Sequence, residues 1–116
     1  MTLITSAVAL ICVIGISIGQ LLFKKAATTI PPSPSFFDIA FNTWLVSAFI
    51  LYGLTTLVWI WVLRNAPLYL AYPFMGLAFI LVPTLAWLFL NEPLHAKTIL
   101  GGAIIAIGIS ITAKTN

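Results

Sequence analysis

The sequence predicts an all-α integral membrane protein, a four-transmembrane-helix bundle that acts as a dimer. Its 116 residues are 62% hydrophobic and only 6% charged, whereas about 25% of the residues of soluble domains are charged. Uncharged stretches at 2–23, 39–63 and 67–90 reach the roughly 20 apolar residues that span a membrane as a helix. The prediction is therefore a single membrane domain over residues 1–116, with no soluble domain and no nucleic-acid-binding surface.

The first predicted helix covers residues 2–23 and is apolar on all sides, unlike a barrel strand, in which polar and apolar residues alternate. A helix in lipid satisfies its own backbone hydrogen bonds. The run is too long for a signal peptide, and lysines follow it rather than precede it. Cys12 lies inside it as the one cysteine of the chain, so no disulfide is predicted.

The second predicted helix covers residues 39–63 and follows the longest connection, 24–38. Three prolines in that connection favour an extended chain. Aromatic residues at the start of the helix are typical of a membrane interface; they are Phe36, Phe37, Phe41 and Trp44. Only residues 64–66 separate the second helix from the third, which predicts a tight antiparallel hairpin.

The third predicted helix, 67–90, contains Pro73 and Pro83. Interior prolines remove backbone hydrogen bonds and kink helices, so this helix is a candidate gate. Tyr72 lies near its beginning, where the hydroxyl faces either the interface or a central cavity. The fourth predicted helix, 96–113, is the shortest, and a lysine at its start lengthens the span by snorkelling.

Basic residues give almost no bias in membrane orientation. Lys24, Lys25 and Lys97 are expected on one side, and Arg64 and Lys114 on the other. Because basic-residue bias normally sets orientation, this near balance permits insertion in both orientations and antiparallel pairing of identical subunits. A fixed topology set by weak bias or by a partner is the alternative.

A chain this short holds one transporter repeat, and secondary transporters commonly bind substrate between two. A second subunit is therefore expected, as a homodimer or as a heterodimer with a related small subunit. Glycine pairs in the first and fourth helices permit close helix contact. That contact lies either within a subunit or between subunits.

Polar residues in and beside the helices form the candidate site. Gln20 and Lys24 are four apart on one helical face, Ser17 precedes them, and an amide inside the membrane needs a partner. Lys24 either snorkels to lipid headgroups or provides a fixed positive charge for a phosphate, whereas Lys25 is interpreted as a border charge. Glu92 either pairs with a border cation or takes part in binding.

No catalytic constellation is present. One histidine, two carboxylates and one cysteine are widely separated, and a metal site requires several ligands close together. The sequence therefore predicts no enzyme, no metal and no cofactor.

Three parts of the chain together resemble the small drug/metabolite transporter superfamily. They are Gly19-Gln20-Leu21-Leu22-Phe23-Lys24 with Ala26; Ala66-Pro67-Leu68 with Ala71-Tyr72-Pro73; and Asn91-Glu92-Pro93-Leu94 with Gly101-Gly102-Ala103 and Gly108. The likeness is strongest to the small subunits that flip aminoarabinose-phosphoundecaprenol across the bacterial inner membrane. These share the Gly-Gln-x-x-x-Lys and Ala-Tyr-Pro patterns.

This resemblance implies a multi-pass inner-membrane flippase subunit that translocates a polyprenyl-phosphate-linked sugar or a similar lipid-linked anion. It implies that Lys24 faces the lipid phosphate, with Gln20 and Tyr72 lining the path. In an antiparallel dimer, Arg64 of the partner subunit would add a second positive charge on the same side.

Two other functions stay open at this point. Small multidrug resistance pumps resemble the chain in length and in the glycine-rich last helix, but their first helix carries a glutamate. Residues 2–23 contain no carboxylate, so cation efflux coupled to protons would depend on Glu92, the one glutamate. The third possibility is a non-transporting accessory subunit of a larger membrane protein.

Overall fold

The structure, a computed structural model, describes residues 2–113, so Lys114 lies outside the described residues. The elements are α1 (Leu3–Thr29), α2 (Phe36–Ala40), α3 (Thr43–Asn65), α4 (Leu68–Ala71), a 3-10 helix (Tyr72–Leu77), α5 (Ala78–Phe89) and α6 (Ala96–Ala113). No strand occurs in this part of the chain. Three helical segments are long and apolar enough to cross a membrane, at Leu3–Thr29, Thr43–Asn65 and Leu68–Phe89, and α6 is a shorter apolar helix. The predicted all-α membrane bundle is confirmed.

Helix α1 continues through both lysines to Thr29, whereas the predicted helix ended at residue 23. The hydroxyls of Thr28 and Thr29 donate to the carbonyls of Lys25 and Ala26 at 2.7 and 2.9 Å. The Ala26 carbonyl also accepts the backbone N–H of Ile30 at 3.2 Å, so the Thr29 hydroxyl adds a second hydrogen bond in the last turn. The prediction counted apolar length alone, but lysine is a good helix former, so the helix continues past the membrane border.

Residues 31–35, which contain the three prolines, form no helix, and the short helix α2 follows them. Ser35 and Asp38 cap its beginning in a capping box: each side chain accepts a hydrogen bond from the backbone N–H of the other, at 3.3 and 2.9 Å. The rings of Phe37 and Phe41 stack with centroids 5.8 Å apart. Helix α3 consequently begins at Thr43, later than the predicted start.

Helices α1 and α3 pack along their length as an antiparallel pair. At one end the Asn42 amide donates to the Thr29 hydroxyl at 2.9 Å. Farther along, the rings of Phe23 and Tyr52 meet edge to face at 5.6 Å. A Cβ at Gly19 would lie 3.1 Å from the Tyr52 ring, so the ring would have to shift by a few tenths of an ångström to admit a larger side chain.

Gly15 provides a test of this packing. A Cβ at Gly15 would lie 2.8 Å from the hydroxyl oxygen of Thr55, which is buried and donates to the Leu51 carbonyl at 2.8 Å. We expect Gly15→Ala to destabilise the protein by about 1–3 kcal/mol, the usual cost of overpacking. Thermal unfolding in detergent, followed by helical circular dichroism, measures the change.

The matched control is Gly53→Ala on α3, where no atom lies within 4 Å of the added Cβ. That substitution should leave the stability unchanged or raise it by up to about 1 kcal/mol, because alanine is the better helix former. Equal unfolding temperatures for the Gly15 and Gly53 variants would contradict the described contact between α1 and α3.

The helices lie side by side in a flat row. Helix α1 packs on α3 on one side and on α5 on the other, and α6 packs on the 3-10 helix and α5. The molecule measures 53 × 36 × 19 Å, and one helix with its side chains is about 10–12 Å across. Large apolar side chains remain exposed on each of the four long helices, so the row presents apolar surface to lipid or to a partner.

The third membrane segment changes its winding partway along. It begins as α4, tightens into the 3-10 helix that contains Pro73, and continues as α5, which contains Pro83. A 3-10 stretch within a helix often marks a hinge or strain, and proline removes one backbone hydrogen bond. The two prolines predicted an irregular helix, and the structure places the irregular part in the first half of the segment.

Candidate substrate groove

An open groove of about 460 Å³ lies between α1 and α5 and extends to the turn before α6. Its polar side chains are Gln20 and Lys24 from α1, Glu92 from the turn and Thr98 from α6. The other lining residues are apolar or proline; they are Leu21, Val82, Pro83, Ala86, Leu90 and Pro93. We call this feature the border groove, because it lies where the charged residues end the apolar segments.

Helix α1 places Gln20 and Lys24 one turn apart on the same face, and both side chains are exposed. The neighbouring face carries Gly19 and Phe23, which pack against Tyr52 of α3. Contact with α3 therefore fixes the rotation of α1 that presents the amide and the ammonium to the border groove.

A tight turn after α5 places Glu92 in the border groove. Asn91 adopts a left-handed conformation with φ of 56°, which asparagine tolerates better than most residues. The N–H groups of Leu90 and Glu92 both donate to the Ala86 carbonyl, at 2.9 and 3.3 Å. These bonds fold residue 92 back over the end of α5, on the side where Lys24 lies.

Lys24 and Glu92 provide opposite charges within one groove. They also line a smaller adjoining notch of about 210 Å³, together with Lys25 and Asn91. Among residues 2–113 neither charge forms a salt bridge within 4.0 Å. Pairing of Glu92 with a border cation, one of its two predicted roles, does not occur among these residues, and both charges are available to a ligand.

The border groove continues into an apolar cavity of about 320 Å³ between α1 and α5. The two spaces share three lining residues, Gln20, Val82 and Pro83. The wall of the apolar cavity is completed by Ile16, Ala78 and Phe79. Together the two spaces form one amphipathic groove that is charged at the border and apolar toward the middle of the helices. Such a surface matches a ligand with a charged head and an apolar tail.

Two further predicted residues lie on other faces of α1. Ser17 is completely buried, and its hydroxyl donates to the Val13 carbonyl of the same helix at 2.8 Å, so it offers no donor to the border groove. The Lys25 ammonium lies 5.8 Å from the centre of the Trp44 ring. That distance allows a cation–π contact with α3.

Arg64 and Tyr72 lie away from the border groove. Arg64 is exposed in the last turn of α3, near the level at which Val62 packs against Ala9. At a rise of 1.5 Å per residue, the 15 residues from Ala9 to Lys24 and the two from Val62 to Arg64 put Arg64 about 25 Å from Lys24 along the helix axis. Tyr72 lines a different cavity of about 490 Å³ between the 3-10 helix and α6.

Pro83 and Thr98 line the groove, although neither was among the predicted site residues. Pro83 borders three adjoining spaces, including a third one of about 310 Å³ between α5 and α6. The available signal for Thr98 was a hydroxyl in the first turn of the last helix, directly after a turn rich in polar residues. The sequence alone does not show that Thr98 faces the groove, because the groove forms only when α5 packs against α1.

Apolar membrane-spanning helices, short connections and an amphipathic groove define a small multi-pass membrane protein with a surface suited to an amphipathic ligand. Similar proteins identify the family. The chain is 44% identical over 92 residues to the "probable 4-amino-4-deoxy-L-arabinose-phosphoundecaprenol flippase subunit ArnE" of Serratia proteamaculans, covering 78% of this chain and 79% of that protein. Proteins of the same name from Aeromonas salmonicida and Pectobacterium atrosepticum are 33% and 36% identical over 100 and 104 residues. These alignments cover 85% and 88% of this chain and 87% and 90% of the relatives.

The chain belongs to this family of flippase subunits and is a multi-pass protein of the bacterial inner membrane. The predicted resemblance to the aminoarabinose-phosphoundecaprenol flippase subunits is confirmed. No family model matches the chain, and no solved structure matches it.

Proposed function

We propose that the chain forms the substrate-binding part of a flippase for a polyprenyl-phosphate-linked sugar. The observation that carries the proposal is the continuity of the border groove with the apolar cavity. A lipid-linked sugar has the same division, with an anionic head at one end and a hydrocarbon chain at the other. The relatives are named for a substrate of this type, an amino sugar on phosphoundecaprenol.

Each groove residue has a role in the proposed mechanism. The Lys24 ammonium is a compact positive charge with three donors and binds the phosphate, and the Gln20 amide hydrogen-bonds the sugar. The apolar cavity guides the first part of the prenyl chain, while the rest of the chain stays in lipid. The head crosses without any covalent step, because only noncovalent contacts change.

A second subunit completes the pathway in this proposal. The helix row is 19 Å deep and leaves the groove open on one side, so a partner is needed to shield the polar head from lipid. The word "subunit" in the names of the relatives supports a partner. An inverted copy would bring Arg64 of the partner subunit to the side of Lys24, and a related small subunit is the alternative.

A ligand-induced shift of the unfolding temperature tests this function. A ligand that binds only the folded protein stabilises it by about 2.7 kcal/mol at one hundred times its Kd. We expect undecaprenyl phosphate and its sugar derivatives to raise the unfolding temperature of the purified protein in detergent, and small organic cations to leave it unchanged. Stabilisation by the cations alone would contradict the proposal and favour a multidrug pump.

A further inference from the structure

The border groove contains a carboxylate that binding of a phosphate does not use. Glu92 would repel a phosphate held by Lys24, because like charges at short range raise the energy of the complex. The turn nevertheless directs residue 92 into the groove, through the left-handed Asn91 and the two hydrogen bonds to the Ala86 carbonyl. A phosphate-binding site alone does not account for this placement.

We infer that Glu92 binds a positively charged amine on the headgroup and so selects an amino sugar over a neutral one. The inference rests on the proposed function and deepens it, since it assigns the residue that distinguishes between lipid-linked sugars. In the bound state the phosphate lies at Lys24 and the ammonium at Glu92. The groove then recognises a head with two opposite charges.

Three properties of the groove support this arrangement. Lys24 and Glu92 line the same space and the same adjoining notch. Among the described residues neither is committed to a salt bridge. The volume of about 460 Å³ falls within the range of roughly 300–1,000 Å³ that small-molecule sites occupy, so the groove has room for a sugar.

The expected selectivity is modest, because Glu92 is exposed and exposed ion pairs are weak. An uncharged headgroup of the same shape loses the attraction and leaves the carboxylate close to a phosphate. Both effects act in the same direction. We expect the lipid with a free amine to bind about three- to tenfold more tightly than its N-acetylated form.

Fluorescence titration of the purified protein at neutral pH tests the inference. Two probes differ only at the amine: a 4-aminopentose linked to undecaprenyl phosphate, and the same lipid with the amine acetylated. The expected result is a preference of about three- to tenfold for the free amine, which falls to about onefold in Glu92→Gln. Glu92→Asp, which keeps the charge, should retain part of the preference.

Asp38→Asn is the matched control, because it removes the other carboxylate of the chain, in α2 and outside the groove. It should keep the full preference. A full preference in Glu92→Gln would overturn the inference about the amine. Lys24→Met separates the two proposals: it should weaken both probes equally, and unchanged binding of both would instead overturn the proposed function.

Discussion

Replacing Lys24 with methionine is expected to lower flipping of the lipid-linked sugar by roughly one to two orders of magnitude while leaving the protein folded. Lys24 is exposed at the border groove, and no salt bridge among the described residues depends on it. Methionine has a similar length and helix propensity, so α1 is preserved. Hydrogen bonds to charged groups contribute about 1.5–3 kcal/mol, which corresponds to a loss of roughly 10- to 100-fold in binding.

Proteoliposomes that contain the assembled flippase measure this loss. The labelled lipid is loaded, and a membrane-impermeant reagent quantifies the headgroups that reach the opposite leaflet with time. Lys25→Met is the matched control, because the Lys25 ammonium lies over the Trp44 ring; it should flip at nearly the wild-type rate. Flipping by Lys24→Met at the wild-type rate would remove the proposed role of Lys24.

Filling the junction between the border groove and the apolar cavity is expected to have the second-largest effect. Val82 lines both spaces, and its side chain is only partly buried, so a larger side chain can extend into the open volume. In the proposed mechanism, the indole of Val82→Trp would block the junction at which the phosphate meets the prenyl chain. We expect the flipping rate to fall at least about tenfold, which corresponds to about 1.4 kcal/mol.

The same liposome assay, together with the unfolding temperature of each variant, tests this second expectation. Val46→Trp on the exposed side of α3 adds the same bulk away from the groove and should flip normally. A normal rate in Val82→Trp with an unchanged unfolding temperature would show that the prenyl chain does not pass through the apolar cavity. The proposed binding of the phosphate at Lys24 would not be contradicted by that result.

Local properties account for what the sequence predicted correctly about the fold. Hydropathy and the spacing of charges indicate membrane helices, because every lipid-exposed segment must be apolar and must satisfy its own backbone. Helix ends were less predictable. The capping box of Ser35 and Asp38 sets the beginning of α2, and hydropathy does not mark that position.

The sequence predicted those features of the candidate site that depend on local helical spacing, but not those that depend on packing between helices. Gln20 and Lys24 were predicted to share a face because helical periodicity fixes that relation within one helix, and the structure brings both to the border groove. Whether Ser17 joins them depends on how α1 is rotated against α3, and that rotation buries Ser17. The position of Glu92 depends on a single left-handed residue, Asn91.

The sequence by itself determined the class of protein, the helical segments and the family, because composition, apolar length and short motifs are properties of the chain alone. The tertiary structure decided which polar side chains meet. Glu92 joins Lys24 because α5 packs beside α1, whereas Arg64 lies about 25 Å away along α1 because α1 and α3 run antiparallel. Neighbour relations and helix rotations arise from packing between distant parts of the chain, which no local pattern encodes.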